Sequence, residues 1–374
     1  MDKKYSYDRY QRQIILPGFG KLGQEKLLDA SVLVIGTGGL GCPALQYLAA
    51  AGIGTIGIVD DDLVQLNNLH RQVLFSVSDI GLSKAETATR KLRELNPEIN
   101  ILTFNNRLTN QNTFEILSEF DIIIDGTDNF STRYMVNDAC VLLSKPLVYG
   151  AISQFEGQVS VFNFPNNDGE VAVNYRDIFP DPAKEDEILN CADAGVIGTL
   201  PSIIGSMMAN EVIKMLTGIG EVLAGQLLVY NALNNQVFLL SLSPLKDTRS
   251  LIPKDKHTFL ETDYAWLCSS SMSEMEIDIA TFNQLLATKK PDIIDVREID
   301  ETPELTEFVS VKIPLGQLAE NTDKILSDTV VIFCQSGKRS LMGAKILTGI
   351  FGSTKNIYSF KGGILEWKKQ NPGI

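Results

Sequence analysis

No Cys-x-x-Cys pair occurs anywhere in the 374 residues, and the five cysteines (Cys42, Cys140, Cys191, Cys268 and Cys334) are scattered singly. Such spacing excludes a disulfide framework and a cysteine-rich zinc site. Histidine is scarce: His70 and His257 are too isolated to make a catalytic dyad or a metal site. No apolar run approaches bilayer length, and the opening MDKKYSYDRYQRQIIL has neither the apolar core nor the small-residue cleavage site of a signal peptide. A cytoplasmic protein with no membrane partner is expected. Positive charge is in deficit, 33 basic against 46 acidic residues, giving a net charge of −13. A surface of that sign repels nucleic acid, which is not an expected partner.

What is present suits a soluble globular protein. With 44% apolar and 21% charged residues the chain is long enough to bury a core in each of two domains. SVLVIG, a glycine cluster, LGCPALQYLAAAG and TIGIVD read as strand, tight loop, helix and strand, with Gly52 ending the helix. Ser83 and Glu86 form a capping box before KAETATRKLREL, which Pro97 stops; DIIID, a helix from about Phe130 and PLVYG repeat the rhythm. The fold class is therefore α/β, a doubly wound, largely parallel sheet, with antiparallel strands at GQVSVFN, QLLVYNA and NQVFLLSL. Between Phe164 and Thr199 the pattern breaks into a long polar stretch expected to be a functional loop. A second break suggests domains at 1–243 and 274–374 joined by a linker at 244–273. The second domain restarts the alternation with PDIIDV, TVVIFC, a helix from about Ser340 and KNIYSF.

Gly36, Gly38, Gly39 and Gly41 lie between a strand and a helix, and Asp60 ends the next strand. Glycines let phosphates approach the N–H groups at a helix start, and the acid can accept from ribose hydroxyls, a pattern shared with NAD-dependent oxidoreductases. The residues downstream separate the two readings. Asp62, Asn68 and Arg71 fall in DDDLVQLNNLHRQ, Lys84 opens a helix, and Asp128 follows a strand in DGTDN. Hydride transfer needs no such set, whereas chemistry at a phosphate uses cations to neutralise phosphoryl oxygens and a carboxylate to hold magnesium.

RYQRQI, GTGGLG, IVDDDLVQLNNLHRQ, the Lys84 helix and DGTDN, in that order, resemble the bacterial MoeB/ThiF adenylyltransferases, relatives of the ubiquitin-activating enzymes, over residues 5–242. The resemblance implies ATP-dependent adenylation of the C-terminal glycine of a ubiquitin-like sulfur carrier ending in Gly-Gly. It also implies that Asp60 holds the ribose, Arg71 and Lys84 the phosphates and Asp128 the magnesium ion, and that Arg12 reaches ATP from the other subunit of a homodimer. Two alternatives remain: an NAD-dependent oxidoreductase, which leaves Lys84, Asp128 and the sulfur loop unexplained, and a non-catalytic carrier-docking module, against which retention of every expected ATP-site residue speaks.

Cys191 lies in the long loop, where the family places a cysteine proposed to take over the activated carrier. Cys334-Gln335-Ser336-Gly337-Lys338-Arg339 follows the strand TVVIF and precedes a helix. Six residues curling there aim backbone N–H groups and a helix N-terminus at one sulfur, favouring a thiolate or persulfide, with Lys338 and Arg339 adding positive charge. With DVRE at 295–298 and KGGILEW near the end, the last hundred residues resemble a rhodanese domain, in which Cys334 matches the sulfur-carrying cysteine. The shortness of the loop favours sulfur over the phosphate of related phosphatases. The fusion implies that a Cys334 persulfide turns the adenylate into a thiocarboxylate for a thiamine, molybdopterin or other sulfur pathway, with a cysteine desulfurase or thiosulfate as donor. Many relatives bind structural zinc through two Cys-x-x-Cys pairs, but Asn174 and Asp177 occupy the first pair's places here, so no zinc is expected. Cys42 and Cys140, within predicted helices, are expected in the core.

Overall fold

The computed structural model describes residues 7–164, 171–180, 195–264, 275–303 and 308–370, in two compact units. In the first, helices α1 (Gln11–Ile14), α2 (Gly20–Asp29), α3 (Gly41–Ala51), α4 (Lys84–Leu95), α5 (Asn110–Ser118), α6 (Phe130–Leu143), α7 (Tyr175–Ile178), α8 (Thr199–Thr217) and α9 (Lys256–Glu261) surround one sheet. Strands β1 (Ser31–Ile35), β2 (Thr55–Val59), β3 (Asn100–Phe104), β4 (Ile122–Asp125) and β5 (Leu147–Ser153) are parallel. Strands β6 (Glu156–Phe162), β7 (Gln226–Asn231) and β8 (Gln236–Ser241) extend the sheet antiparallel, in the order β3-β2-β1-β4-β5-β6-β7-β8. This is the doubly wound sheet expected from the alternation.

The apolar run SVLVI is explained by burial on both faces. Val32 and Val34 pack with Leu45 of α3 and Met208 of α8, whereas Leu33 and Ile35 pack with Leu117 of α5 and Val136 of α6. Because β1 lies between β2 and β4, the winding reverses there, and open sheets of this kind bind ligands beyond the carboxyl ends of the strands at that point. Local signals set the helix ends. Gly52, at φ 86°, closes α3; Ser83 Oγ caps α4 by accepting Glu86 N at 3.3 Å; and Asn129 caps α6 by accepting Thr132 N at 2.8 Å. The Glu86 side chain does not complete a reciprocal capping box but accepts from Asn105 Nδ2 at 3.5 Å.

One expectation needs correction. The described part of the presumed linker, 244–264, is packed onto the first unit: Phe259 is fully buried against Phe114, and Tyr264 donates to Asp138 Oδ2 at 2.9 Å. The irregular stretch after Phe164 includes the ordered helix α7, whose Arg176 forms a buried two-pronged pair with Asp138, 2.8 Å from Nε and 2.7 Å from Nη2.

Asn174 and Asp177 are central to this region. Asp177 Oδ2 accepts from the Asn174 backbone and side-chain N–H groups, both at 2.8 Å, and its Oδ1 accepts from Leu245 N at 3.0 Å and from Thr248 Oγ1. One carboxylate thus ties 174–177 to 245–248. Asp177→Ala is expected to leave these donors buried and unpaired and to lower unfolding free energy by about 2–4 kcal/mol, read as a lower urea midpoint at unchanged slope. An unshifted midpoint would remove the clasp from the account.

The second unit is a parallel sheet ordered β11-β10-β12-β13-β9, from β9 (Glu276–Ile277), β10 (Asp292–Asp295), β11 (Val311–Lys312), β12 (Thr329–Phe333) and β13 (Asn356–Phe360). Helices α10 (Ile279–Thr288), α11 (Lys338–Phe351) and α12 (Gly363–Gln370) cover it. Phe282, Phe333, Phe360 and Trp367 form an aromatic core, and α11 starts two residues before the expected Ser340. Among the described residues no helix is long and apolar enough to cross a membrane.

Candidate functional sites

The glycine loop requires its glycines. Gly36 has φ 88°, and a Cβ on Gly41 would lie 1.8 Å from the Gly36 carbonyl oxygen, so no side chain fits between the loop and the start of α3. Asp60, at the end of β2, fixes the loop: Oδ2 accepts Thr37 N at 2.6 Å and Thr37 Oγ1 at 2.7 Å, while Oδ1 accepts Asp62 N at 2.9 Å. Carboxylate oxygens of Asp60, Asp61 and Asp62 lie within 4.8 Å of one another. Lys84, almost wholly buried at the start of α4, reaches out to the exposed Asp62, Nζ to Oδ2 2.8 Å.

Arg71 lines the same crevice, its Cγ 3.6 Å from where a Cβ on Gly39 would sit, and its Nη1 donates to Asn67 O at 2.9 Å. Asn68 serves the turn instead: it is buried, and its Oδ1 accepts Gln65 N at 3.2 Å. Asp128 projects, exposed, from the loop after β4, and that loop abuts the glycine loop: Gly126 N donates to Ile35 O at 2.9 Å. The sheet therefore brings the four glycines, Asp60, Asp62, Arg71, Lys84 and Asp128 to one crevice. Arg12 is exposed on α1, beside Gln13, which donates to Ala51 O. Cys191 and Cys268 lie outside the described residues. The segment just after Cys191 is placed, however: Val196 bridges to Gln154, and a Cβ on Gly198 would meet His70 O at 2.4 Å.

Residues with no motif of their own complete the site. Arg133 of α6 is buried, donates to Thr127 O at 2.8 Å and sits over the Tyr149 ring, holding the Asp128 loop from beneath. Burial raises the Asp125 carboxyl, with Arg133 and hydrogen bonds from Thr127 opposing the rise. The only sequence signal for Arg133 is a cation in a helix that otherwise faces a core. Cys42 and Cys140 are buried as expected, and burial pushes the Cys42 thiol up to about 12, out of the nucleophilic range.

In the second unit Cys334 follows β12 and is almost fully buried. Gly337 N donates to its Sγ at 3.2 Å, and the Ser340 hydroxyl lies 3.4 Å away, itself bonded to Ser359 at 2.8 Å. The start of α12 closes over the loop, Ile364 N donating to Cys334 O at 2.9 Å and Leu365 N to Gln335 O at 3.1 Å. A Cβ on Gly363 would sit 2.3 Å from Cys334 O and one on Gly362 2.6 Å from Glu366 Cβ, which accounts for the double glycine of KGGILEW. Arg297, fully buried and paired with Asp295 at 2.8 Å, reaches Gln335 Oε1 at 3.2 Å. Arg339 is held two-pronged by Glu301, at 2.5 and 2.7 Å. That pairing, with smaller opposition from burial, holds the Glu301 carboxyl down to about 2. Its folded value lies below the unfolded one, so its contribution is complete above about pH 4.5 and is lost as pH falls toward 2. Glu301→Gln is accordingly expected to flatten the acid side of the stability curve of the second unit, measured by urea titration at stepped pH; an unchanged slope would contradict the pairing.

The ThiF family profile matches residues 10–251 and the rhodanese-like domain profile residues 278–370. The chain is 49% identical over 266 residues to the sulfur carrier protein adenylyltransferase of Thermus thermophilus, covering 71% of this chain and 97% of that protein. It is 39% identical over 369 residues to the probable adenylyltransferase/sulfurtransferase MoeZ of Mycobacterium tuberculosis, covering 97% of this chain and 93% of MoeZ. To the adenylyltransferase and sulfurtransferase MOCS3 of Xenopus laevis it is 37% identical over 391 residues, covering 96% and 85%. The crystal structure of E. coli MccB with ATP superposes with a TM-score of 0.53 at 23% identity, over 66% of this chain and 75% of that one, which shows a shared fold. The chain therefore belongs to the ThiF family, carries a rhodanese-like domain at 278–370, and is an enzyme of the adenylyltransferase and sulfurtransferase class.

Proposed function

We propose that the chain adenylates the C-terminal glycine carboxylate of a ubiquitin-like sulfur carrier ending in Gly-Gly, using ATP, and then converts it to a thiocarboxylate with sulfur held on Cys334. The observation that carries the reading is the convergence of a glycine-rich loop, two cations and an exposed carboxylate at the crevice beyond β1 and β4. A carboxylate is nucleophilic at neutral pH, so no general base is needed. Its oxygen attacks the α-phosphorus, the bond to the bridging oxygen breaks, and pyrophosphate leaves with the electron pair. Arg71 and Lys84 offset the charge on the phosphate oxygens, and Asp60 accepts from the ribose. Asp128 suits magnesium, a hard cation that takes oxygen ligands, and carboxylate oxygens of Asp60, Asp61 and Asp62 lie within 4.8 Å of one another. When bound, that ion would add further positive charge at the phosphates.

In the second step a Cys334 persulfide attacks the acyl carbonyl, AMP leaves, and an acyl disulfide remains. The thiol of Cys191 then attacks the Cys334 sulfur, which frees the carrier thiocarboxylate and leaves a Cys191–Cys334 disulfide for a cellular thiol to reduce. A second copy would cover the exposed Ile15, Leu16 and Leu22 near α1 and bring its own Arg12 to the site. The exposed apolar edge strand β8, with Phe238 and Leu240 about half exposed, offers a surface to a protein substrate. The adenylylating part takes in 1–243 together with the packed 244–264, and the sulfur-transferring part is 274–374. The enzyme works in the cytoplasm without zinc, since Asn174 and Asp177 are committed to hydrogen bonds; stoichiometric zinc by metal analysis would overturn that. Either a desulfurase or thiosulfate can load Cys334. ATP–pyrophosphate exchange assayed against thiamine-type and molybdopterin-type carriers tests the reading: exchange that depends on one carrier supports it and names the pathway, and no exchange with any would reject it.

A further inference from the structure

Ser359 lies on β13, in an apolar strand with no motif of its own, and Ser340 in the first turn of α11; both are fully buried. Strand register puts Ser359 beside Ile332 of β12, the strand that feeds the Cys334 loop. The two hydroxyl oxygens are 2.8 Å apart, and both reach one carbonyl: Ser340 donates to Gly337 O at 2.8 Å, and Ser359 Oγ is 3.4 Å from the same oxygen. Ser340 Oγ is also 3.4 Å from Cys334 Sγ. Two hydroxyl protons therefore serve two buried acceptors, the Cys334 sulfur and the Gly337 carbonyl.

A thiol and a thiolate at Cys334 need those protons in different places. A thiol donates to Ser340 Oγ, leaving Ser340 to donate to Gly337 O and Ser359 to donate to Ser340. A thiolate only accepts. Buried as it is, with one N–H from Gly337 at 3.2 Å, it gains from a second donor. The Ser340 proton turns to the sulfur only by leaving Gly337 O, where Ser359 is in reach to replace it; Leu341 N, at 3.2 Å, serves that carbonyl in both arrangements. We propose that Ser359 is a positioning residue for the sulfur chemistry, taking over Gly337 O and so freeing the Ser340 proton for the Cys334 thiolate. That thiolate returns each turnover when the disulfide on Cys334 is reduced, and it attacks the outer sulfur of a donor, whose remainder leaves with the electron pair of the broken bond. The assignment rests on the sulfur-transfer reading above and adds a residue outside the loop.

The test reads Cys334 of the full chain at neutral pH in two ways: its rate of alkylation by iodoacetamide, followed by the mass of its peptide, and the ultraviolet absorbance of thiolate lost on alkylation, relative to Cys334→Ala. Ser340→Ala should slow alkylation about tenfold and Ser359→Ala about fivefold, each with a matching loss of thiolate absorbance. Because Ser359 acts through Ser340, the double variant should be no slower than Ser340→Ala alone. Losses that multiply would overturn the proposal, as would Ser359→Ala reacting at the wild-type rate or a wild type with no thiolate at Cys334. Ser340→Ala reacting at the wild-type rate would overturn it too, even if Ser359→Ala folds poorly. Uptake of one sulfur from thiosulfate or inorganic polysulfide is read in parallel. A chain with the coupled alkylation losses but no sulfur uptake would reject Cys334 as the sulfur carrier and leave the hydroxyl exchange standing.

Discussion

Asp128→Ala is expected to abolish carrier-dependent exchange of pyrophosphate into ATP, a loss of about a thousandfold or more. The size follows from the role. In the proposed reaction the triphosphate brings several negative charges to the crevice beyond β1 and β4, more than Arg71 and Lys84 alone would balance. Asp128 is the exposed carboxylate on the loop that meets the glycine loop. That loop is held without the Asp128 side chain, by Thr127 donating to Asp125 at 2.9 and 2.6 Å, Arg133 donating to Thr127 O at 2.8 Å and Asn129 capping α6. Removing an exposed carboxylate from so well anchored a loop should leave the thermal midpoint within a few degrees, so the loss is one of chemistry. Exchange within about tenfold of wild type in a folded variant would remove Asp128 from the phosphate site.

Cys334→Ala should separate the two activities. Pyrophosphate exchange should stay within about twofold of wild type, while thiocarboxylate formation falls below detection, because the proposed reaction stores its sulfur on Cys334. The Cys334 sulfur receives a backbone N–H from Gly337 and has the Ser340 hydroxyl beside it, and two helices start at the loop that holds it. Alanine keeps the backbone of that loop and its contacts with Gly363, so a folded second unit without sulfur chemistry is the anticipated result. A variant still producing thiocarboxylate at wild-type rate would move the sulfur-carrying group elsewhere.

The parallel core and the crevice were legible because their signals are local. SVLVI can be buried on both faces only in a sheet covered by helices, and GTGGLG must end in glycine because Gly41 sits 1.8 Å, at its would-be Cβ, from the Gly36 carbonyl oxygen. The sulfur loop was legible for the same reason, a cysteine between an apolar strand and a helix start. What escaped notice depends on partners distant in sequence. The 244–264 stretch reads as linker because its composition is polar and broken, yet Tyr264 bonds to Asp138, 126 residues earlier. Asp177 looked like nothing more than a lost cysteine until Leu245 and Thr248 supplied its partners. Asn68 sits in the motif but its amide is used by the turn. Arg133 and Glu301 act by holding loops, a role with no residue-type signature.

The most direct measurement of the whole account is the mass of the carrier after incubation with the full chain, ATP, magnesium and a sulfur source. Replacement of one carboxylate oxygen by sulfur is expected with wild type, adenylate without sulfur with Cys334→Ala, and unchanged carrier with Asp128→Ala. Sulfur incorporation that proceeds without ATP, or that survives Asp128→Ala, would contradict it.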